Sequence, residues 1–136
     1  MPDTRARPLA ESEKMTINLG VVDLGQIDLL VQEGFYSNRS DFIRTAIRNQ
    51  LTVHAEVLRQ TVARRTLVLG LQDYTREDLE TVRAAGKRLR IQALGLVRIA
   101  ADVSPELARD TIESIVVLGV LQASAEVKAA LAHRIQ

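Results

Sequence analysis

Lys14-Met15-Thr16-Ile17-Asn18-Leu19 is the stretch on which the reading of this chain turns. Apolar Met15, Ile17 and Leu19 alternate strictly with polar Lys14, Thr16 and Asn18, the period of a half-buried strand. Gly20 leads directly into a helical pattern, so no hairpin partner follows. A lone strand leaves its N–H and C=O groups unpaired. Pairing with the same segment of a second copy about a two-fold axis satisfies both strands and gathers their apolar side chains beneath one surface. The other surface then displays Lys14, Thr16 and Asn18 of each copy. A two-stranded ribbon fits the major groove of DNA, where Lys suits guanine, Asn suits adenine and Thr suits several bases. Taken alone, these six residues also fit an ordinary edge strand with solvated polar side chains.

From Val22 the period becomes helical, with Leu24, Ile27, Leu30 and Val31 on one face and Asp23 in the first turn, where the helix dipole favours it. Gly34 ends this helix. Ser37 is then expected to cap a second one, with Ser40 and Asp41 in its first turn. The second helix carries Phe42, Ile43, Ala46, Ile47 and Leu51 as one apolar stripe, and Arg39, Arg44 and Arg48 lie off it. The free N–H groups of a helix start attract phosphate, and Ser37, Asn38 and Arg39 sit at that end. A simple helical hairpin explains the two helices but not the solitary strand before them.

These pieces together resemble the ribbon-helix-helix family of MetJ/Arc-type repressors: the Lys-Met-Thr-Ile-Asn-Leu ribbon, the Gln26-Ile-Asp-Leu-Leu-Val31 helix and the Gly34-Phe-Tyr-Ser-Asn-Arg-Ser-Asp-Phe-Ile-Arg-Thr-Ala-Ile47 junction. The resemblance covers roughly residues 14–55. It implies an intertwined homodimer whose antiparallel ribbon enters the major groove. By position, Lys14, Thr16 and Asn18 would contact bases, and Ser37, Asn38 and Arg39 would hold the phosphate backbone. Met15, Ile17 and Leu19, with Ile43 and Ile47, would form the dimer core. One departure stands out. Through residue 60 the chain has seven Lys/Arg against eight Asp/Glu, whereas DNA affinity rests heavily on cationic contacts to phosphate.

The chain has 136 residues, enough for one domain or two small ones. At 46% apolar and 26% charged it is globular, and its net charge of +1 neither supports nor excludes a nucleic-acid partner. Without cysteine there are no disulfides, zinc fingers or thiol nucleophiles, which suits the cytoplasm. No stretch reaches the length of a membrane span, so no membrane partner is expected. Residues 1–13, charged and with Pro2 and Pro8, are expected to be a disordered arm without the apolar run of a secretory signal.

The second half has its own order. Leu69-Gly70, Leu94-Gly95 and Leu118-Gly119 recur at spacings of 25 and 24 residues, each with an apolar run and each followed by a helix start: Thr75-Arg-Glu-Asp78, Ser104-Pro105-Glu106 and Ser124-Ala-Glu126. The helices then run as Leu79, Val82, Ala85; Leu107, Ala108, Ile112; and Val127, Ala130, Leu131. A strand–turn–helix unit of about 25 residues, repeated three times, makes a small parallel β/α array. The glycines mark a bulge or a close approach of neighbouring units. A compact β/α sandwich without true repeats, or helical apolar runs, are the alternatives. Residues 50–66 are expected to extend the second helix.

The fold class is therefore α+β: an arm (1–13), a ribbon-helix-helix domain for dimerisation and DNA binding (14–60), and a β/α domain for assembly or regulation (61–136). His54 and His133 are far apart, and nickel-responsive members of the same family need clustered His and Cys, so no metal and no cofactor are expected. No phosphate loop and no catalytic set can be singled out, so no enzyme is expected. The chain is read as a cytoplasmic DNA-binding transcriptional regulator, a repressor acting as a homodimer or higher oligomer on double-stranded DNA. In the alternative, an adaptor, the ribbon only dimerises, and residues 61–136 bind a protein partner or polymerise.

Overall fold

The computed structural model describes residues 12–136, so the expected arm lies, up to residue 11, outside the described residues. The chain divides into two compact units: Lys14–Thr61, and Val62–Gln136 together with Ser12 and Glu13.

In Lys14–Thr61, residues 14–19 belong to no strand and have no strand partner among the described residues. Helix α1 spans Val21–Gln32 and starts where Gly20 accepts a hydrogen bond from the Leu24 amide at 3.0 Å. It ends at Gly34, whose φ of 88° lets the Phe35 amide reach Leu30 O (3.0 Å) and the Gly34 amide reach Val31 O (3.1 Å). That pair of bonds satisfies carbonyls the helix end would otherwise orphan. Helix α2 spans Arg39–Val53, and its cap is Asn38 rather than the expected Ser37. The cap side chain bonds the amide three residues on. Asn38 stands at that distance from Asp41 and Ser37 one residue too far. The Asn38 side chain accepts from the Asp41 amide at 2.8 Å, and the Ser37 amide donates to the Asp41 carboxylate at 2.9 Å.

The second helix does not continue unbroken to residue 66. It stops at Val53, His54 intervenes, and α3 spans Ala55–Arg64. Just before the break, the Thr52 hydroxyl donates to Arg48 O at 2.9 Å, a back-bond that bends helices.

In Val62–Gln136, three strands form one parallel sheet in chain order, β1 (Val68–Tyr74), β2 (Leu89–Ile99) and β3 (Ile112–Gln122). Each is followed by a helix: α4 (Arg76–Ala84), α5 (Pro105–Thr111) and α6 (Ala125–Ala130). The caps are those expected, Thr75, Ser104 and Ser124, and Thr75 and Asp78 bond reciprocally at 3.0 and 3.1 Å. Ile112, expected on the second helix, instead opens β3, since α5 ends at Thr111. All three helices cover one face of the sheet. Leu79, Leu107, Ala108, Val127 and Leu131 pack there with Ile91, Ala93, Val97, Ile99 and Ile115. Thr111 is fully buried, and its hydroxyl is satisfied by Leu107 O at 2.7 Å.

The register aligns Gly70 with Gly95 and Gly95 with Gly119. All three have strongly positive φ: 115°, 139° and 125°. A Cβ on Gly95 would stand 2.4 Å from Gly70 O, and one on Gly119 would stand 2.1 Å from Gly95 O. Close approach between neighbouring strands is thus the reason for Gly95 and Gly119. On the face away from the helices the register stacks Leu69, Leu94 and Leu118, then Leu71, Leu96 and Val120. Beyond these, Arg98 bonds Asp73 at 3.2 Å on one side and Gln122 at 3.2 Å on the other.

Candidate nucleic-acid interface

The Lys14–Thr61 unit has almost no interior of its own. Ile27, at 7% exposure, is its one deeply buried apolar side chain. Met15 is 77% exposed, Ile17 52% and Leu19 40%, and Val21, Val22, Leu29, Ile47 and Leu51 are exposed as well. Monomeric soluble proteins rarely show so much contiguous apolar surface. Between Leu19, α1 and α2 lies an open hollow of about 350 Å³, lined by Leu19, Asp23, Gln26, Ile27, Leu30 and Phe42. Among the described residues nothing fills it.

Lys14, Thr16 and Asn18 are exposed, and none makes a hydrogen bond with another described residue. Of the residues expected in the dimer core, Met15, Ile17, Leu19 and Ile47 are exposed in the single chain and Ile43 is half-buried.

Ser37, Asn38 and Arg39 come together at the start of α2. There the Ser37 amide donates to the Asp41 carboxylate, and the Asn38 side-chain Oδ1 accepts from the Asp41 amide. Arg39 grips Asp28 of α1 with two parallel bonds, Nε to Oδ1 at 2.7 Å and Nη2 to Oδ2 at 2.8 Å. This bond holds the Asp28 carboxyl below its usual range, against a smaller opposing effect of desolvation. The fork-shaped geometry is the strong form of a charge-assisted hydrogen bond, but both side chains remain about half exposed, so salt weakens it. The turn is braced by Tyr36 and Phe42, whose rings meet edge to face at 5.0 Å. Farther along α2, Arg44 and Arg48 are exposed and have no ion-pair partner among the described residues.

Sequence reasoning missed the Arg39–Asp28 pair. The two residues are eleven apart and lie on different helices, a spacing that no local pattern reports. It also missed the hollow under Leu19, because a void has no sequence signature.

His54 sits against Gln50 at 3.3 Å and His133 against Arg134 at 3.3 Å. Among the described residues no group of three His, Cys, Asp or Glu is placed to hold a metal ion. No helix of the described residues is long and apolar enough to cross a membrane.

A short amphipathic segment that has no strand partner among the described residues, two helices joined by a capped turn and an apolar hollow beside them are the parts of a ribbon-helix-helix protomer. The sequence pattern of the Ribbon-Helix-Helix transcriptional regulator family matches residues 10–128, and the chain belongs to that family. The match runs well past the segment that carries the motif and takes in all three strands of the Val62–Gln136 sheet. No curated protein and no solved structure matches the chain.

Proposed function

We propose that the protein is a cytoplasmic, homodimeric repressor that binds DNA through a ribbon made of two Lys14–Leu19 segments. One observation carries this reading: the unit holding the motif buries a single apolar side chain and exposes Met15, Ile17 and Leu19. Two copies zipped antiparallel about a two-fold axis place these residues over the hollow beneath Leu19, which closes the core. A buried side chain of this size contributes roughly 1.5–3 kcal/mol, so the paired form is far more stable than the separated one.

Pairing leaves Lys14, Thr16 and Asn18 on the outer surface, in reach of base edges in the major groove. The start of α2 then meets the phosphates. The Ser37 hydroxyl, the Asn38 amide group, the remaining Arg39 donors and the unbonded first-turn amides of α2 supply the contacts. Arg44 and Arg48 add cationic charge that the near-neutral composition hides. The Val62–Gln136 unit, in this reading an array of three strand–helix repeats, organises the dimers on DNA.

The test is a footprint on a selected site. Thr16→Ala with Asn18→Ala removes site preference while the protein stays dimeric. Protection of the same site by the double variant refutes base reading by the ribbon. A gel-shift titration against salt tests the phosphate contacts, because log affinity falls with log salt by roughly 0.9 per phosphate neutralised. No retardation at low salt indicates a ribbon that only dimerises.

A further inference from the structure

We infer that the outer edge of β1 is a second self-association surface, which pairs antiparallel with β1 of another copy. All seven residues of Val68–Tyr74 pair with β2 on one side, and none has a strand partner on the other among the described residues. Protected edges carry Lys, Pro or a covering segment. This one presents Val68, Leu69, Gly70 and Leu71, with Val68 at 49%, Leu69 at 70% and Leu71 at 46% exposure.

Gly70 supplies an independent argument. Gly95 and Gly119 use the same positive φ to admit the carbonyl of the preceding strand into the space a Cβ would take. Gly70 has that conformation too, and its space is empty. Among the described residues no neighbour enters that space, so the edge at Gly70 is open to another strand.

The far edge determines the kind of partner. Beside β3, Ile135 bridges Ile115, and the Gln136 amide donates to Ile115 O at 2.8 Å. Ile135 and Gln136 thus cover the Ile115 end of that edge, while β1 has no outer strand partner among the described residues. A contact of β1 with β1 about a two-fold axis closes on itself, whereas β1 against the remaining edge of β3 would stack into a filament. Charge fits the antiparallel sense. Arg64 and Arg65 precede β1 and have no ion-pair partner among the described residues, while Asp73, Glu77 and Asp78 lie at or beyond its end. Antiparallel strands set the basic start of one beside the acidic end of the other.

The test uses the full chain with its ribbon disabled by Met15→Asp and Ile17→Asp, so that the two contacts are read separately. Sedimentation equilibrium at micromolar protein gives a two-chain mass for this variant. Adding Leu69→Lys and Leu71→Lys, at exposed positions outside the helix-covered core, gives a one-chain mass with unchanged circular dichroism. A one-chain mass before the lysines are added overturns the inference, and so does a two-chain mass that persists after them. Hydrogen exchange on the unaltered protein is the second measurement. The outward amides of β1 are protected, and exchange at the rate of an open loop overturns the inference.

Discussion

The carbonyl oxygen of Gly70 occupies the space, 2.4 Å away, where residue 95 would carry its Cβ. The sheet of the Val62–Gln136 unit is therefore assembled around missing side chains. Gly95→Ala forces backbone against backbone in addition to an unfavourable φ, each costing about 1–3 kcal/mol. Gly70→Ala meets only the second of these in the single chain. Urea unfolding is expected to rank Gly95→Ala and Gly119→Ala well below Gly70→Ala, the gap being about 2 kcal/mol. Equal losses at all three positions would show that φ alone decides.

Thr66 is the one non-glycine among the described residues with positive φ, at 55°. It ends α3 in the manner of Gly34 after α1: the Leu67 amide reaches Val62 O at 3.0 Å and the Thr66 amide reaches Ala63 O at 3.2 Å. A β-branched residue is poorly suited to that conformation. Thr66→Gly is expected to stabilise the protein by about 1 kcal/mol, read as a raised midpoint of thermal unfolding. A lowered midpoint would mean that the threonine side chain contributes more than its strain costs.

Tyr74 has its phenol pushed above the ordinary value, first by burial and then by the nearby Asp78 carboxylate. A raised pKa in the folded state means that stability is fully present below the ordinary tyrosine value of about 10 and is lost as pH rises through the folded value. Unfolding followed from pH 9 upward is expected to show a steeper alkaline loss in the unaltered protein than in Tyr74→Phe. Identical alkaline limbs would exclude this residue as their cause.

The Asp28 carboxyl shifts the other way, lowered by Arg39. Its contribution is present above the ordinary aspartate value and is lost as pH falls through the depressed one. Asp28→Asn is expected to flatten the acid limb of the stability profile. It also releases the Arg39 fork and removes a negative charge beside the proposed phosphate contacts, so DNA affinity is expected to rise and its salt dependence to steepen. Unchanged affinity would place Arg39 outside the DNA contact.

Much of this was legible in the residues. Strict alternation from Lys14 to Leu19 marks a segment in need of a partner, and among the described residues that segment forms no strand and has no strand partner. Thr75, Ser104 and Ser124 announced the helices of the second unit because capping chemistry is local. The Leu-Gly spacing placed the strands, and it does so because parallel neighbours must bring equivalent residues into register. Non-local features stayed hidden. The Asp28–Arg39 bond depends on how two helices meet. The break at His54 follows a side-chain back-bond from Thr52, and Asn38 took the cap from Ser37 over a difference of one residue.

Pairing of the two Lys14–Leu19 segments is the claim from which the DNA-binding account follows, and an intermolecular distance tests it most directly. The chain has no cysteine, so Asn18→Cys provides a unique site for a spin label. Pulsed dipolar spectroscopy at micromolar protein is expected to give one narrow distance between two copies. A six-residue strand pair sets its backbone contribution at no more than roughly 20 Å. Absence of intermolecular coupling at that concentration would contradict the account.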